Sequence, residues 1–217
     1  MTTTHPSAPA SAGGRAYEHV KRRILDGVYD GLLTEGGVAA ELDCSRTPVR
    51  EAFLRLESEG MVRLYPKKGA MVVPVSAQEA GDVWQARALV EQWAAPRAFA
   101  RGDEIVPRLR ELAAQMRDRL DDGDVSGFTE ADRTFHEVIV GVAGNEVLSR
   151  LYRSLRERQL CINAAAMRVS RVRMEIAVVD HERLADLLAG DDADAFAAAV
   201  EEHLDGARRA ISGGDAA

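Results

Sequence analysis

The 217-residue chain has little cysteine, few aromatic side chains and no long apolar runs. Two cysteines, Cys44 and Cys161, cannot build a disulfide framework, which excludes a stapled secreted scaffold. Apolar runs such as Ile176–Val179 fall far short of the ~20 residues that a membrane-crossing helix needs. Met1–Gly14 carries neither Lys nor Arg nor an apolar centre, so it reads as a disordered tail rather than a signal or transit peptide. With a net charge of −7, the chain also lacks the overall basicity of many nucleic-acid binders. These absences lead to the expectation of a cytoplasmic protein with no membrane partner.

A hydrophobic content of 46% is enough to bury a core for one large or two small domains. The charge is unevenly divided. Residues 14–76 hold 10 Lys or Arg against 9 Asp or Glu, and the remainder hold 18 against 26. The acid therefore lies in the second part. A small DNA-binding head stays compatible with the total, because counter-ion release depends on the local basic face.

Residues 62–75, VRLYPKKGAMVVPV, form the one convincing β pattern: two short apolar runs around the turn Pro66-Lys67-Lys68-Gly69. This predicts a two-stranded wing, stopped at Pro74. Ser76-Ala77-Gln78-Glu79 then reads as a capping box opening a long helix, so a domain boundary falls near residue 75. Three helical segments precede the wing: Arg15 to Leu25, a weak one from Gly36 to Leu42, and a strong one that Ser45 or Thr47 can cap and Gly60 ends. Val49, Ala52, Phe53 and Leu56 give the third an inward stripe, leaving Arg46 and Arg50 one turn apart on its outward face. Two arginines so placed suit a recognition helix, since Arg can bond guanine O6 and N7 together. The Ser45 and Thr47 hydroxyls can hold a phosphate, and Lys67 and Lys68 add backbone contacts.

Beyond the wing the pattern is helical throughout, with spans at 76–101, 104–121, 124–142, 146–167, 170–190 and 192–212. Pro107 fits a first turn, and Pro96 is expected to kink or break its helix. Four residues interrupt the apolar stripes of these helices. Asp132 and His136 share one face, His181 lies between Val178 and Leu184, and His203 between Val200 and Ala207. A carboxylate and three imidazoles buried together are costly unless partnered, and one divalent cation satisfies all four. Ligand type alone leaves zinc, nickel, cobalt, iron and manganese open. Arg87 lies on the stripe of Val83, Val90 and Ala94, where it either meets a ligand carboxylate or pairs internally with Glu91.

The stretch CSRTPVREAFLRLESEGMVRLYPKKGAMV, SRTPVREA above all, resembles the winged helix-turn-helix signature of the GntR superfamily of bacterial transcription regulators, over residues 15–75. RALVE at 87–91, DRTFH at 132–136, DHERLADLLAGDD at 180–192 and VEEHL at 200–204 are similar to the FadR-like branch. The resemblance implies operator binding by Arg46, Thr47, Arg50 and Gly69, and a helical C-terminal bundle that dimerises and binds a small effector. It further implies that Asp132, His136, His181 and His203 hold a metal, zinc first, with nickel or manganese as alternatives. The implied effector is an organic acid or sugar acid whose carboxylate approaches that metal. Asp30-Gly31 departs from the usual Pro-Gly turn, and Gly36 stands where some relatives place a DNA-contacting arginine.

The expected fold is mainly α, a winged helix-turn-helix followed by an antiparallel helical bundle. Its divisions are a tail at 1–14, the DNA-binding domain at 15–75, the effector and dimerisation domain at 76–212 and a tail at 213–217. The function expected is a dimeric repressor on a pseudo-palindromic operator, released by its effector; alternatives are a regulator with a purely structural metal clasp or a metal-dependent hydrolase. The hydrolase has little support, because His5 and His19 lie in the tail and head and leave no evident general base beside the cluster.

Overall fold

Helix α1 (Ala12–Leu25) buries Tyr17, Val20, Ile24 and Leu25 at the spacing its periodicity dictates. It starts before Arg15 because the Ser11 hydroxyl accepts from the Gly14 N–H at 3.0 Å, so residues 12–14 are helical rather than tail. The computed structural model describes residues 11–211, and only the backbone of Ala210 and Ile211. Of the tails expected at 1–14 and 213–217, residues 1–10 and 213–217 lie outside the described residues. The chain divides into two compact units between Pro74 and Val75.

In the first unit, α2 (Glu35–Glu41) is capped by Thr34, whose Oγ1 accepts from Gly37 N at 3.0 Å. Asp43, at φ 47°, takes the left-handed conformation that turns the chain into α3 (Arg46–Ser58). Helix α3 packs on α1, and its Val49, Phe53 and Leu56 are buried. The wing is three-stranded, not two-stranded. Strand β1 (Leu32–Leu33) pairs antiparallel with β3 (Gly69–Val72), which pairs antiparallel with β2 (Val62–Tyr65), giving the order β1-β3-β2. A two-residue strand carries no alternation to read. Gly69 is fixed by this pairing: its φ is +123°, and a Cβ there would stand 2.0 Å from the Leu33 carbonyl oxygen.

The second unit begins with α4 (Ala77–Phe99), where the Ser76 hydroxyl accepts from Glu79 N at 3.1 Å. Contrary to expectation, α4 is not broken at Pro96, which falls in its last turn with only Arg97–Phe99 beyond it. Helix α5 (Gly102–Asp122) starts earlier than expected, so Pro107 sits in its second turn. Gly102 permits this start against α9: a Cβ there would come within 2.7 Å of the Leu188 carbonyl oxygen. Helix α6 (Val125–Val142) follows an Asp124 cap. The single helix expected over 146–167 is two, α7 (Glu146–Ser154) and α8 (Arg156–Arg168). At Leu155 the N–H bonds Tyr152 O at 3.2 Å, an i→i−3 tightening that needs neither Gly nor Pro. Helices α9 (Arg171–Leu188) and α10 (Ala193–Ile211) complete the unit. Its core joins Trp84 of α4, Leu109 and Leu112 of α5, Phe135 of α6, Leu184 of α9 and Phe196 of α10.

Candidate metal centre and nucleic-acid interface

Asp132 and His136 stand one turn apart on the inner face of α6, with His181 on α9 and His203 on α10 facing them, all buried. The His136 Nε2 lies 3.2 Å from His181 Nε2 and 3.3 Å from His203 Nε2. The three imidazoles each offer a ring nitrogen within 4.8 Å of the others. Asp132 borders this trio rather than closing it evenly: its Oδ1 lies 3.4 Å from His181 Nε2, and its Oδ2 accepts from Asn163 Nδ2 at 2.8 Å.

The opposite ring nitrogens decide what the Nε2 atoms can do. His136 Nδ1 faces Glu91 Oε2 at 2.8 Å, His181 Nδ1 faces the Ala177 carbonyl oxygen at 2.6 Å, and His203 Nδ1 faces Asp180 Oδ2 at 3.1 Å. Each of these partners is an acceptor, which assigns the proton to Nδ1 and a lone pair to Nε2. In the neutral imidazoles, three Nε2 lone pairs then face one another beside a carboxylate oxygen, a donor set that one cation satisfies. The two distances from His136 fit one. Metal–nitrogen bonds of about 2.0–2.1 Å at tetrahedral or octahedral angles hold adjacent donors about 2.9–3.4 Å apart. Burial and the neighbouring His203 push His181 down to about 4, so its imidazole is neutral and free to ligate near neutral pH. For Asp132, burial works to raise the pKa, but His181, His136 and Arg87 outweigh it and hold the carboxyl below its ordinary value.

Glu91 is the hub behind the trio. Besides His136, it accepts from Arg87 Nε at 2.9 Å and from Tyr152 OH at 2.7 Å, all out of solvent. Burial alone would raise its pKa, yet Arg87 and His136 keep it ionised far below the usual carboxylate range. The Arg87 guanidinium also lies over the Trp84 ring, 4.2 Å from its centroid. The internal pair that Arg87 was expected to form as one alternative is thus present, while Arg87 also lines a cavity of about 440 Å³ that reaches Asp132 and His203. Asn163 and Met167 share that wall. Glu91 and Asp180 were not foreseen as partners of the histidines. The weak signal for Glu91 was its place one turn after Arg87; Asp180 adjoins His181 but serves His203.

In the first unit, Arg46, Arg50, Lys67, Lys68 and Gly69 border one surface groove. Ser45 and Thr47 are exposed at the start of α3; Ser45 occupies the cap position without a side-chain cap bond, leaving its hydroxyl available. The Arg46 guanidinium covers the gap at Gly36, where a Cβ would meet its Nη2 at 3.4 Å. Arg50, 67% exposed, is held bidentately by Glu35 at 2.8 and 3.0 Å.

A winged helix-turn-helix, followed in one chain by a helical bundle with a buried histidine trio, defines the class of two-part DNA-binding regulators. Residues 13–72 match the bacterial regulatory proteins of the gntR family, and residues 82–206 match the FCD domain. The chain belongs to the GntR family of transcription regulators, in the FadR-like branch, and its relatives are regulators rather than enzymes. It is 33% identical to the Nta operon transcriptional regulator of Aminobacter aminovorans over 178 residues, 79% of this chain and 80% of the relative. To the gluconate operon transcriptional repressor of Bacillus licheniformis it is 29% identical over 180 residues, 82% of this chain and 72% of the relative. A solved GntR regulator from Rhodococcus sp. RHA1 is similar at TM-score 0.74 and 25% identity, over 93% of this chain and 97% of that one. No helix among the described residues is long and apolar enough to cross a membrane.

Proposed function

We propose that the protein is a metal-dependent, ligand-responsive repressor. Residues 15–75 grip operator DNA, and residues 76–212 bind effector and dimerise. Two copies set their α3 helices into successive major-groove faces of a pseudo-palindromic operator, which matches the two-fold symmetry of a dimer. Arg46 and Arg50 read bases, while Ser45, Thr47, Lys67, Lys68 and the backbone at Gly69 hold phosphates. In the bundle, Asp132, His136, His181 and His203 hold a divalent ion, zinc in the first instance, with nickel or manganese as alternatives. The ion supplies a positive, Lewis-acidic anchor for a small organic-acid or sugar-acid carboxylate. Asn163 orients Asp132, and Arg87, its charge balanced by Glu91, offers guanidinium N–H groups to the effector carboxylate from the cavity wall. Effector binding shifts the protein to a form that releases DNA, by no more than its difference in affinity for the two forms. The site of action is the cytoplasm.

The observation that carries this reading is the convergence of three Nε2 lone pairs beside an open cavity. The name of the gluconate operon repressor, borne by a relative, supports both the repressing sign and an acid effector. The test is metal analysis of the purified protein, followed by operator binding with and without carboxylic acids, before and after chelation. Stoichiometric metal and acid-induced release that chelation abolishes are expected. A metal-free protein that still responds to acids, or a metal-loaded one indifferent to all of them, rejects the reading.

A further inference from the structure

Most arginines of the second unit already have carboxylate partners; Arg101, Arg108, Arg117, Arg158 and Arg183 each lie within hydrogen-bonding distance of one. Arg173 and Arg209 have no carboxylate partner among the described residues, and both line the cavity that reaches Asp132 and His203. In a chain with seven more acidic than basic residues, two unpaired cations on one cavity wall call for an explanation. Arg173 is also half-buried in the first turn of α9, where the helix dipole disfavours a cation. Met167, Val172 and Ile176 give the same wall an apolar stretch, and Val172 and Ile176 are more than half exposed.

We propose that the effector is a dianion: an α,ω-dicarboxylate with one carboxylate at the histidine and aspartate centre, an apolar spacer over Met167, Val172 and Ile176, and the second carboxylate on Arg173 and Arg209. The inference rests on the reading of this cavity as the effector site. Charge balance supports it. A divalent ion and the two arginines exceed Asp132 and Asp180 by two positive charges, while Arg87 is neutralised by Glu91; one dianion cancels the excess. A spacer of methylenes would also cover apolar side chains that otherwise face water. A monocarboxylate would leave both arginines unpaired.

The test is calorimetric titration of the zinc-loaded full chain with glutarate, adipate and pimelate, each against the monocarboxylate of equal carbon number. At least one dicarboxylate is expected to bind about tenfold tighter than its monocarboxylate counterpart, the gain of about one charge-assisted contact. Arg173→Gln and Arg209→Gln should each reduce that advantage, and Arg173→Lys should restore part of it. Arg117→Gln, which removes a surface pair with Glu182, should leave it unchanged. Metal-dependent binding of both classes with equal affinity, or an advantage that survives the double Arg173→Gln, Arg209→Gln change, overturns the dianion while leaving the metal-anchored site intact. If the zinc-loaded protein binds neither class, both readings fall together.

Discussion

Glu91 shows how one side chain sets the chemistry of another. Its two oxygens neutralise Arg87 and fix the His136 tautomer at once, so replacing it has two separable effects. Glu91→Gln leaves the guanidinium without its countercharge, and breaking a buried pair in this way costs about 3–5 kcal/mol. It also weakens the orientation of His136, for which a loss of about 10–100-fold in metal affinity is expected. Denaturant unfolding with chelator present measures the first effect, and competition with a zinc indicator measures the second; unchanged zinc affinity would show that Glu91 serves Arg87 alone. In the head, burial and the adjacent Glu41 push the Tyr29 phenol up to about 12, against a weaker opposing pull from Arg23. The unfolded chain ionises this phenol near pH 10 and the folded head only near 12. The unfolded state therefore sheds its proton first, and the head should lose stability as pH rises from 10 to 12. Thermal melts of wild type and Tyr29→Phe across that range test it: the decline should be smaller in the variant.

At the scale of elements, legibility follows sequence distance. The stripes that place Asp132, His136, His181 and His203 inward are local, each set within one helix at 3–4 residue spacing, and they were readable. The partners that orient them are not local. Glu91 is on α4 and its histidine on α6, 45 residues later, while Asp180 pairs across to α10. No pattern within one helix encodes such pairs. Strand β1 was too short to show a period, and the α7–α8 break carries no Gly or Pro to announce it. Gly69 was expected as a DNA-contacting wing residue, and its close approach to β1 gives it a structural duty. At φ +123° with Leu33 O in the way of any Cβ, Gly69→Ala must displace β1 or the turn. A loss of about 2–4 kcal/mol is expected from the combined strain and clash. A head that melts as wild type would mean the wing relaxes freely away from β1.

At the scale of the molecule, the chain keeps its two tasks in two units, and its tryptophans allow them to be observed separately. Both tryptophans, Trp84 and Trp93, lie on α4 in the second unit, so indole fluorescence follows the bundle alone. A metal that binds only the folded trio stabilises this unit by RT ln(1 + [metal]/Kd), about 4 kcal/mol when free metal exceeds Kd a thousandfold. Chelation should therefore lower the urea midpoint read by fluorescence, and readdition of zinc should restore it. Three donors come from α6, α9 and α10, so losing the ion removes a tie between helices far apart in the chain. His181→Ala should abolish the response to zinc, because His181 is the trio's only member on α9 and the one nearest Asp132. The Lys68→Ala protein, altered only on the exposed wing, should keep the full zinc response while its operator affinity falls and the salt slope of binding shrinks by about one. Arg50→Ala should differ in kind, losing about 1–3 kcal/mol of discrimination at one operator position with little change in that slope. A zinc shift that persists in His181→Ala would place the ion elsewhere in the bundle, and the coupling of effector to DNA would then have to start from a different site.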